Sequence, residues 1–294
     1  MMLFGSGFEQ VRVAAAGAGI NVVHGGTGAP LLLLHGYPET HVMWHRVAPA
    51  LAKRFHVVCP DLRGYGDSAK PPSTPDHAPY SKRAMARDMV EVMAHLGYAR
   101  FGVAGHDRGA RVAHRLVLDH PGAVSRACVM DIAPTHHMFL TADRHFASVY
   151  YHWFFLIQSD GLPERMIGAD PGYYLTEKLR RWSAPGARFD AEAVAEYVRC
   201  FSDPATIHAT CEDYRAAASI DLEHDEADLD RRVECPLLLL WGKRGFVHRT
   251  YDVLEVWRGH ATQVEGKALD CGHFLPEESP AEVEAELMRF FDVQ

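Results

Sequence analysis

The chain has 294 residues, 48% of them hydrophobic, which is enough for a single α/β core carrying an inserted segment. Its formal net charge of −8 and isoelectric point near 6.2 argue against nucleic acid or an anionic membrane as a partner. An anionic substrate would therefore have to be attracted by local positive charge.

The first residues, Met1 to Gly5, have no basic segment followed by a long apolar one, and no later stretch is apolar for long enough to span a bilayer. We therefore expect a cytoplasmic protein without a membrane partner. The six cysteines are scattered without a Cys-x-x-Cys pair, so we expect reduced thiols packed as small apolar groups. We expect no metal and no cofactor.

Short apolar runs alternate with longer amphipathic stretches along most of the chain. Buried strands are predicted at 31–34, 57–59, 102–104, 128–130 and 237–241, and helices at 43–53, 82–96, 108–118 and 281–291. This alternation predicts an α/β fold with a doubly wound, mostly parallel sheet. In such sheets the active site lies at the carboxyl ends of the strands.

The alternation stops after Pro134 and resumes at Pro236. The intervening sequence is rich in aromatic residues and helix formers and is interrupted by glycine and proline. We predict a core domain of residues 1–134 and 230–294, with residues 135–229 inserted as a helical lid.

The segment Gly105-His106-Asp107-Arg108-Gly109 lies between a predicted strand and a predicted helix. It resembles the nucleophile elbow of α/β-hydrolases, with aspartate where serine usually stands. A carboxylate that displaces a group from a saturated carbon forms an ester that water can cleave, whereas a serine would form a stable ether. Asp107 therefore indicates dehalogenation or epoxide opening. Alternatively, Asp107 only caps the following helix.

Two further segments fit the same fold. In His35-Gly36-Tyr37-Pro38, after the first long apolar strand, the backbone N–H of Tyr37 would form an oxyanion hole together with that of Arg108. An ordinary tight turn is the alternative. Late in the chain, His273 is placed as the base, with His260 as the competing candidate.

The acid that orients this histidine should lie between Asp107 and His273 in the chain. The loop after the strand that ends at Trp241 contains no acid, whereas the preceding strand ends at Asp131. We assign the role to Asp131, with a loop-capping aspartate as the alternative.

Arg108 and Arg111 lie three residues apart in the first turn of the elbow helix, where two cations oppose the helix dipole and repel each other. A bound carboxylate would explain them, because guanidinium groups match carboxylates in a bidentate manner. The alternatives are a solvated arginine face or a salt bridge to an acid of the lid.

The chain resembles fluoroacetate (haloacetate) dehalogenases over nearly its whole length. The shared stretches are 33–38, 43–49, 61–68, 105–111, 130–132, 151–153, 211–217 and 272–274. The resemblance implies Asp107 as nucleophile, His273 as base, Asp131 as acid and Arg108 with Arg111 as carboxylate clamp. It also implies a halide pocket of His152, Trp153 and Tyr214, whose N–H and O–H donors suit a departing fluoride. It favours a homodimer acting on a small haloacid.

Two other functions remain open. An epoxide hydrolase shares the aspartate nucleophile and would use lid tyrosines, with Tyr150, Tyr151 and Tyr214 as candidates. The arginine pair argues against it, because a neutral epoxide gives those cations no partner. A catalytically silent receptor for small molecules is the other alternative, and catalytic turnover would exclude it.

Overall fold

The computed structural model describes residues 2–15 and 17–292. Eight strands within these residues form one sheet: β1 (Phe8–Ala15), β2 (Ala18–Gly25), β3 (Ala29–Leu34), β4 (Phe55–Pro60), β5 (Phe101–His106), β6 (Val124–Met130), β7 (Leu237–Gly242) and β8 (Val264–Leu269). Their spatial order is β1-β2-β4-β3-β5-β6-β7-β8. The six strands from β4 to β8 in that order are parallel, and β2 is antiparallel to both of its neighbours, β1 and β4. This confirms the predicted α/β fold with a mostly parallel sheet.

The predicted apolar runs all lie in β3 to β7, the interior of the sheet. No sequence prediction covered β1, β2 or β8. Strands β1 and β8 lie at the edges, and most of their residues are partly or fully exposed, so neither gives a continuous apolar run.

Fifteen α-helices are found in the described residues. Between the strands of the first half lie α1 (Ala48–Leu51), α2 (Lys82–His95) and α3 (Arg108–Asp119). Between β6 and β7 lie α4 (Thr135–Leu140), α5 (Arg144–Val149), α6 (His152–Phe155), α7 (Leu162–Gly168), α8 (Pro171–Trp182), α9 (Ala191–Phe201), α10 (Pro204–Ala217) and α11 (Ile220–Ala227). After β7 come α12 (Phe246–Thr250), α13 (Val253–Arg258), α14 (Leu275–Glu278) and α15 (Pro280–Phe291).

Helices α2, α3 and α15 agree with their predictions, but the single helix predicted at 43–53 is wrong. The structure has a 3₁₀ turn at His41–Trp44 and then the short α1. Pro49 lies in the first turn of α1, where its missing N–H breaks no hydrogen bond. In the middle of one continuous helix the same proline would remove a bond, so the chain forms two short elements.

The helices α4 to α11, residues 135–227, are called the helical insertion below. Aspartate side chains accept a hydrogen bond from the first turn of four of these helices, α5, α8, α9 and α10. Proline also stands in the first turn of α8 and α10. These local signals explain why the segment is helical. Its division from the core at residues 134 and 230, and its action as a lid, stay predictions.

None of the helices in the described part of the chain is both long enough and apolar enough to cross a membrane.

Candidate active site

The elbow between β5 and α3 is strained at Asp107. Its backbone angles are φ 46° and ψ −112°, a conformation that costs a non-glycine residue roughly 1–3 kcal/mol. The glycines on either side permit the turn: a Cβ on Gly105 would lie 2.4 Å from the carbonyl oxygen of Gly109, and one on Gly109 would lie 2.4 Å from that of His35. The Asp107 side chain makes no capping bond to α3. The elbow therefore fixes a carboxylate at the carboxyl end of the sheet without using it as a helix cap.

The two oxygens of Asp107 have different surroundings. Its Oδ1 accepts a hydrogen bond from the backbone N–H of Tyr37 at 3.1 Å. Its Oδ2 lies 3.9 Å from Nε2 of His273. The amide that the sequence assigned to an oxyanion hole thus holds one oxygen, and the other faces the predicted base.

Asp131 and His273 meet beside Asp107 from two different loops. Nδ1 of His273 lies 2.6 Å from Oδ2 of Asp131, and Oδ1 of Asp131 accepts a hydrogen bond from the backbone N–H of Gly242 at 2.9 Å. A proton on Nδ1 is donated to Asp131, which leaves Nε2 free to act as a base toward the space above Asp107. The competing candidate His260 lies elsewhere, with its ring 6.2 Å from those of His114 and Trp257.

Burial and charge act in opposite directions on the two titratable groups. Burial lowers the pKa of His273, but the hydrogen bond and charge of Asp131, with the charge of Asp107, outweigh it and hold that pKa above its usual range. Burial raises the pKa of Asp107, but His273 and the cations Arg108 and Arg111 leave it below its usual value. The nucleophile is therefore an ionised carboxylate at neutral pH.

Arg108 is fully buried and paired with an acid of the helical insertion. Its Nε and Nη2 donate to Oδ2 and Oδ1 of Asp213 at 2.8 and 2.7 Å, and Nη2 also donates to the Asp213 carbonyl at 2.9 Å. Its Nη1 is buried and has no hydrogen-bond partner among the described residues. Two nitrogens of Arg108 thus form the salt bridge to an acid of the predicted lid that was one alternative to a bound carboxylate. The other alternative, a solvated arginine face, is wrong because Arg108 is fully buried.

Arg111 has no carboxylate partner among the described residues. Its Nη1 donates to the carbonyl oxygen of Ala133 at 3.0 Å and to the hydroxyl of Thr135 at 2.9 Å. Its Nε is buried and has no hydrogen-bond partner within residues 2–15 and 17–292. Burial, with the charge of Arg108, lowers the pKa of Arg111. An anion bound beside Arg111 would stabilise its charge and would therefore oppose both causes of the lowered pKa.

The helical insertion brings His152, Trp153 and Tyr214 over the two arginines. The guanidinium carbon of Arg108 lies 4.1 Å from the ring centroid of Tyr214, and that of Arg111 lies 4.8 Å from that of Trp153. Nδ1 of His152 and the hydroxyl of Tyr214 are buried without a hydrogen-bond partner among the described residues. Burial, with the nearby Lys178, lowers the pKa of His152 well below its usual range, so its ring is neutral.

All predicted site residues thus lie around one point at the carboxyl end of the sheet. Residues 29–280 match the model of the α/β-hydrolase fold. The chain is 47% identical to a fluoroacetate dehalogenase of Burkholderia sp., over 97% of this chain and 94% of that protein. The chain belongs to the fluoroacetate dehalogenase family of α/β-hydrolases.

Other members of the α/β-hydrolase superfamily are also similar. A soluble epoxide hydrolase of Corynebacterium sp. strain C12 is 36% identical over 92% of this chain and 93% of its own length. A crystal structure of an α/β-hydrolase from Nostoc sp. PCC 7120 is 60% identical with a TM-score of 0.96, covering 98% of this chain and 99% of that one. These similarities support hydrolase activity. They do not decide between a haloacetate and an epoxide as the substrate, because relatives of both kinds are similar to this chain.

Sequence reasoning missed several residues of this α/β-hydrolase site. His106 donates from Nε2 to the carbonyl oxygen of His273 at 2.7 Å, and burial with the charge of His273 lowers the pKa of His106 to about 3. Trp182 accepts from the His273 N–H at 2.9 Å through its carbonyl oxygen, and its ring packs 5.4 Å from the His273 ring. Both fix the loop that carries the base. The contacts join distant segments, and no spacing in the sequence signals them.

Asp213 and Lys178 were also missed. Asp213 directly precedes Tyr214, so its place in the shared stretch 211–217 was the available signal. Lys178 lies near His152 with its Nζ 3.9 Å from the ring centroid of Tyr151 and no hydrogen-bond partner among the described residues. Burial lowers the pKa of Lys178 to about 7.

A cavity of about 260 Å³ leads to His273 between the helical insertion and the core. Its wall includes Tyr150 and three arginines: Arg181, Arg244 and Arg249. Arg181 pairs with Glu177 and Arg244 pairs with Asp270, whereas Arg249 is exposed and has no ion pair with a described residue. An anion that entered by this cavity would meet the charge of Arg249 before it reached His273.

Proposed function

We propose that the protein is a hydrolytic dehalogenase that converts haloacetates such as fluoroacetate and chloroacetate to glycolate and halide. The observation that carries the proposal is a pair of buried guanidinium nitrogens, Nη1 of Arg108 and Nε of Arg111, that have no hydrogen-bond partner in the described part of the chain and lie on the helix that follows the ionised nucleophile Asp107. A carboxylate held by these donors would place its α-carbon against the nucleophile, because the charged group and the reacting carbon are directly bonded.

In the first step, Oδ2 of Asp107 attacks the α-carbon and the carbon–halogen bond breaks. The halide leaves with the bonding electron pair and accepts hydrogen bonds from His152, Trp153 and Tyr214. The product is an ester between Asp107 and the carboxymethyl group.

In the second step, Nε2 of His273 takes a proton from water, and the resulting hydroxide attacks Cγ of Asp107. Negative charge then develops on Oδ1, which the N–H of Tyr37 already contacts and the N–H of Arg108 would also bind. The tetrahedral intermediate expels glycolate, which takes the proton from His273. The attacking water oxygen stays in the Asp107 carboxylate.

Epoxide hydrolysis is the second candidate, and one observation favours it. Asp213 already pairs with Arg108, so only part of the positive charge at the site awaits an anion. Tyr150 and Tyr214 are buried near the nucleophile, whereas Tyr151 is 41% exposed. We favour the haloacid because Arg111 has no carboxylate partner among the described residues.

The test is to incubate the purified protein with fluoroacetate, chloroacetate and styrene oxide and to measure halide, glycolate and diol. Release of halide and glycolate in equal amounts supports the proposal, and diol without halide supports the epoxide hydrolase. Turnover of either kind excludes the silent receptor. The variant Asp107→Ala controls for contaminating activity.

Single-turnover hydrolysis in ¹⁸O-labelled water separates covalent catalysis from direct water attack. The label should enter the Asp107 carboxylate, which mass spectrometry of the peptide detects. Label only in glycolate would show that water attacks the substrate directly. A homodimer and a cytoplasmic location, expected from the sequence, stay predictions.

A further inference from the structure

An ion cluster joins the helical insertion to the core behind the arginine clamp. Asp213 of α10 is fully buried. Its Oδ2 accepts from Nε of Arg108 at 2.8 Å and from the hydroxyl of Tyr65 at 2.6 Å, and its Oδ1 accepts from Nη2 of Arg108 and from Nζ of Lys82. Asp221 of α11 accepts from the backbone N–H of Lys82 at 2.8 Å and lies 3.4 Å from its Nζ. Two core cations thus face two carboxylates of the insertion.

This cluster is a poor device for stability alone. Buried ion pairs lose much of their Coulomb energy to desolvation, and apolar residues of similar volume often replace them without loss. The cluster does, however, fix the orientation of Arg108. With Nε and Nη2 both held by Asp213, Nη1 is the nitrogen left to point at a ligand.

The position of Arg108 allows it to form an unproductive ion pair with the nucleophile. It directly follows Asp107 in the chain, and a guanidinium group pairs strongly with a carboxylate. An unrestrained Arg108 could turn its fork to the nucleophile and occupy the oxygen that must attack. It could also bind the substrate carboxylate through both arms and move the α-carbon away from Asp107.

We propose that Asp213 is a positioning residue that holds Arg108 away from Asp107 and leaves Nη1 alone to orient the substrate carboxylate. The proposal rests on the haloacid function proposed above. Because Asp213 belongs to the insertion and Arg108 to the core, the clamp takes its working form only when α10 is docked on the core. Asp213 acts through Arg108 and touches neither the substrate nor the reacting atoms.

The proposal predicts a separation of rate from affinity. Asp213→Asn keeps the side-chain shape but removes the charge that neutralises Arg108. The positive potential at the site then rises, so binding of acetate should be unchanged or stronger. The alkylation step should slow by about 100-fold, because a displacement of about 1 Å has that effect on a positioned reaction. General damage to the site would weaken binding and rate together.

The experiment compares the wild type with Asp213→Asn, Asp221→Asn and Tyr65→Phe. Acetate binding is measured by calorimetry, and alkylation by chloroacetate is measured by rapid quench and mass spectrometry. Asp221→Asn is the matched control, since Asp221 belongs to the same cluster and contacts Lys82 but not Arg108. It should leave both quantities near the wild type. Tyr65→Phe, which removes one hydrogen bond to Asp213, should slow alkylation by about tenfold without weakening acetate binding.

Two results would overturn the proposal: alkylation by folded Asp213→Asn at the wild-type rate, or loss of acetate binding in parallel with the rate. Near-UV circular dichroism shows whether this variant folds, and if it does not, Tyr65→Phe decides by the same two criteria. A wild type that neither binds acetate nor is alkylated by chloroacetate would instead remove the haloacid function itself.

Discussion

Two parts of the site differ in how far their polar groups are already paired: the sheet side, formed by Asp107, Asp131 and His273, and the insertion side, formed by His152, Trp153 and Tyr214. On the sheet side, Asp107 accepts a hydrogen bond from Tyr37, and Asp131 is bound to both His273 and Gly242. On the insertion side, Nδ1 of His152 and the hydroxyl of Tyr214 are buried with no partner among the described residues. Buried polar groups are normally paired, so these two groups mark a place where a ligand or a water molecule would bind. Under the proposed function, the nucleophile, the base and the arginine clamp thus belong to the core, and the insertion contributes the groups that contact the halide.

The largest effect is expected from replacing His273, the predicted base of the sheet side. His273→Asn should reduce turnover of chloroacetate by a factor of about 10⁴ or more, since removing one member of a catalytic triad has that effect. Alkylation should survive, because the leaving-group side is intact. Mass spectrometry should therefore find a carboxymethyl group on the Asp107 peptide. His260→Asn, which changes the other late histidine, should keep full turnover, and a His273→Asn enzyme without the adduct would contradict the assignment.

The sequence predicted the sheet side better than the insertion side, for a physical reason. The elbow and Asp131 each follow a buried parallel strand, and apolar strand runs are visible in a sequence. His273 follows the half-exposed strand β8, and its late position in the chain was the signal for it. Asp213 and Trp182 act through contacts between segments that lie far apart in the chain, and no local pattern marks them. The edge strands β1 and β8 were missed because they are half exposed. His152, Trp153 and Tyr214 were found through a family resemblance and not through their spacing.

Arg111 tests whether the clamp selects an anion. Because Asp213 neutralises Arg108, Arg111 supplies the unmatched positive charge, and Arg111→Gln should cost about 2–5 kcal/mol in kcat/KM for chloroacetate. Neutral chloroacetamide should lose much less. Acetate should raise the melting temperature of the wild type but not of this variant. Arg115→Gln is the matched control, because Arg115 lies on the same helix and pairs with Asp225 and Asp228 outside the site. Equal losses of kcat/KM for chloroacetate and chloroacetamide would contradict the proposed role of Arg111 in binding the substrate carboxylate.

Trp153 tests the insertion side. Trp153→Phe keeps most of the apolar volume but deletes the indole donor, so fluoroacetate should lose roughly 2–4 kcal/mol of transition-state stabilisation. Bromoacetate should lose less, because bromide needs less hydrogen bonding as it leaves. Trp44→Phe is the control, since it makes the same exchange at a buried tryptophan of the 3₁₀ turn His41–Trp44, outside the predicted halide pocket. The comparison requires that the chemical step limits both wild-type reactions. If Trp153→Phe then slows the reactions of fluoroacetate and bromoacetate by the same factor, Trp153 contributes packing and no hydrogen bond to the halide.

The pH dependence tests whether the pKa of His273 changes when Asp107 becomes an ester. The charge of Asp107 is one of the causes that raise the pKa of His273. Alkylation removes that charge, so the pKa of His273 should fall in the ester, when the ring must act as a base. Hydrolysis of the ester should therefore lose its rate on acidification at a lower pH than the one at which His273 titrates in the free enzyme. NMR titration of the free enzyme and single-turnover rates give the two values, and identical values would contradict the coupling.

The smallest effect is expected at the mouth of the cavity, where neither side does chemistry. Arg249 is exposed there and has no ion pair with a described residue, in a protein whose net charge of −8 repels anions. Arg249→Glu should lower kcat/KM for chloroacetate by a factor of about three to ten at low ionic strength, because rim charges act at long range. The loss should shrink in about 0.5 M salt, where screening is strong, and should be absent for chloroacetamide. Lys53→Glu makes the same charge change in the exposed turn before β4, at the amino ends of the parallel strands and away from the site. If both variants lose rate equally, net charge and not the cavity mouth controls entry.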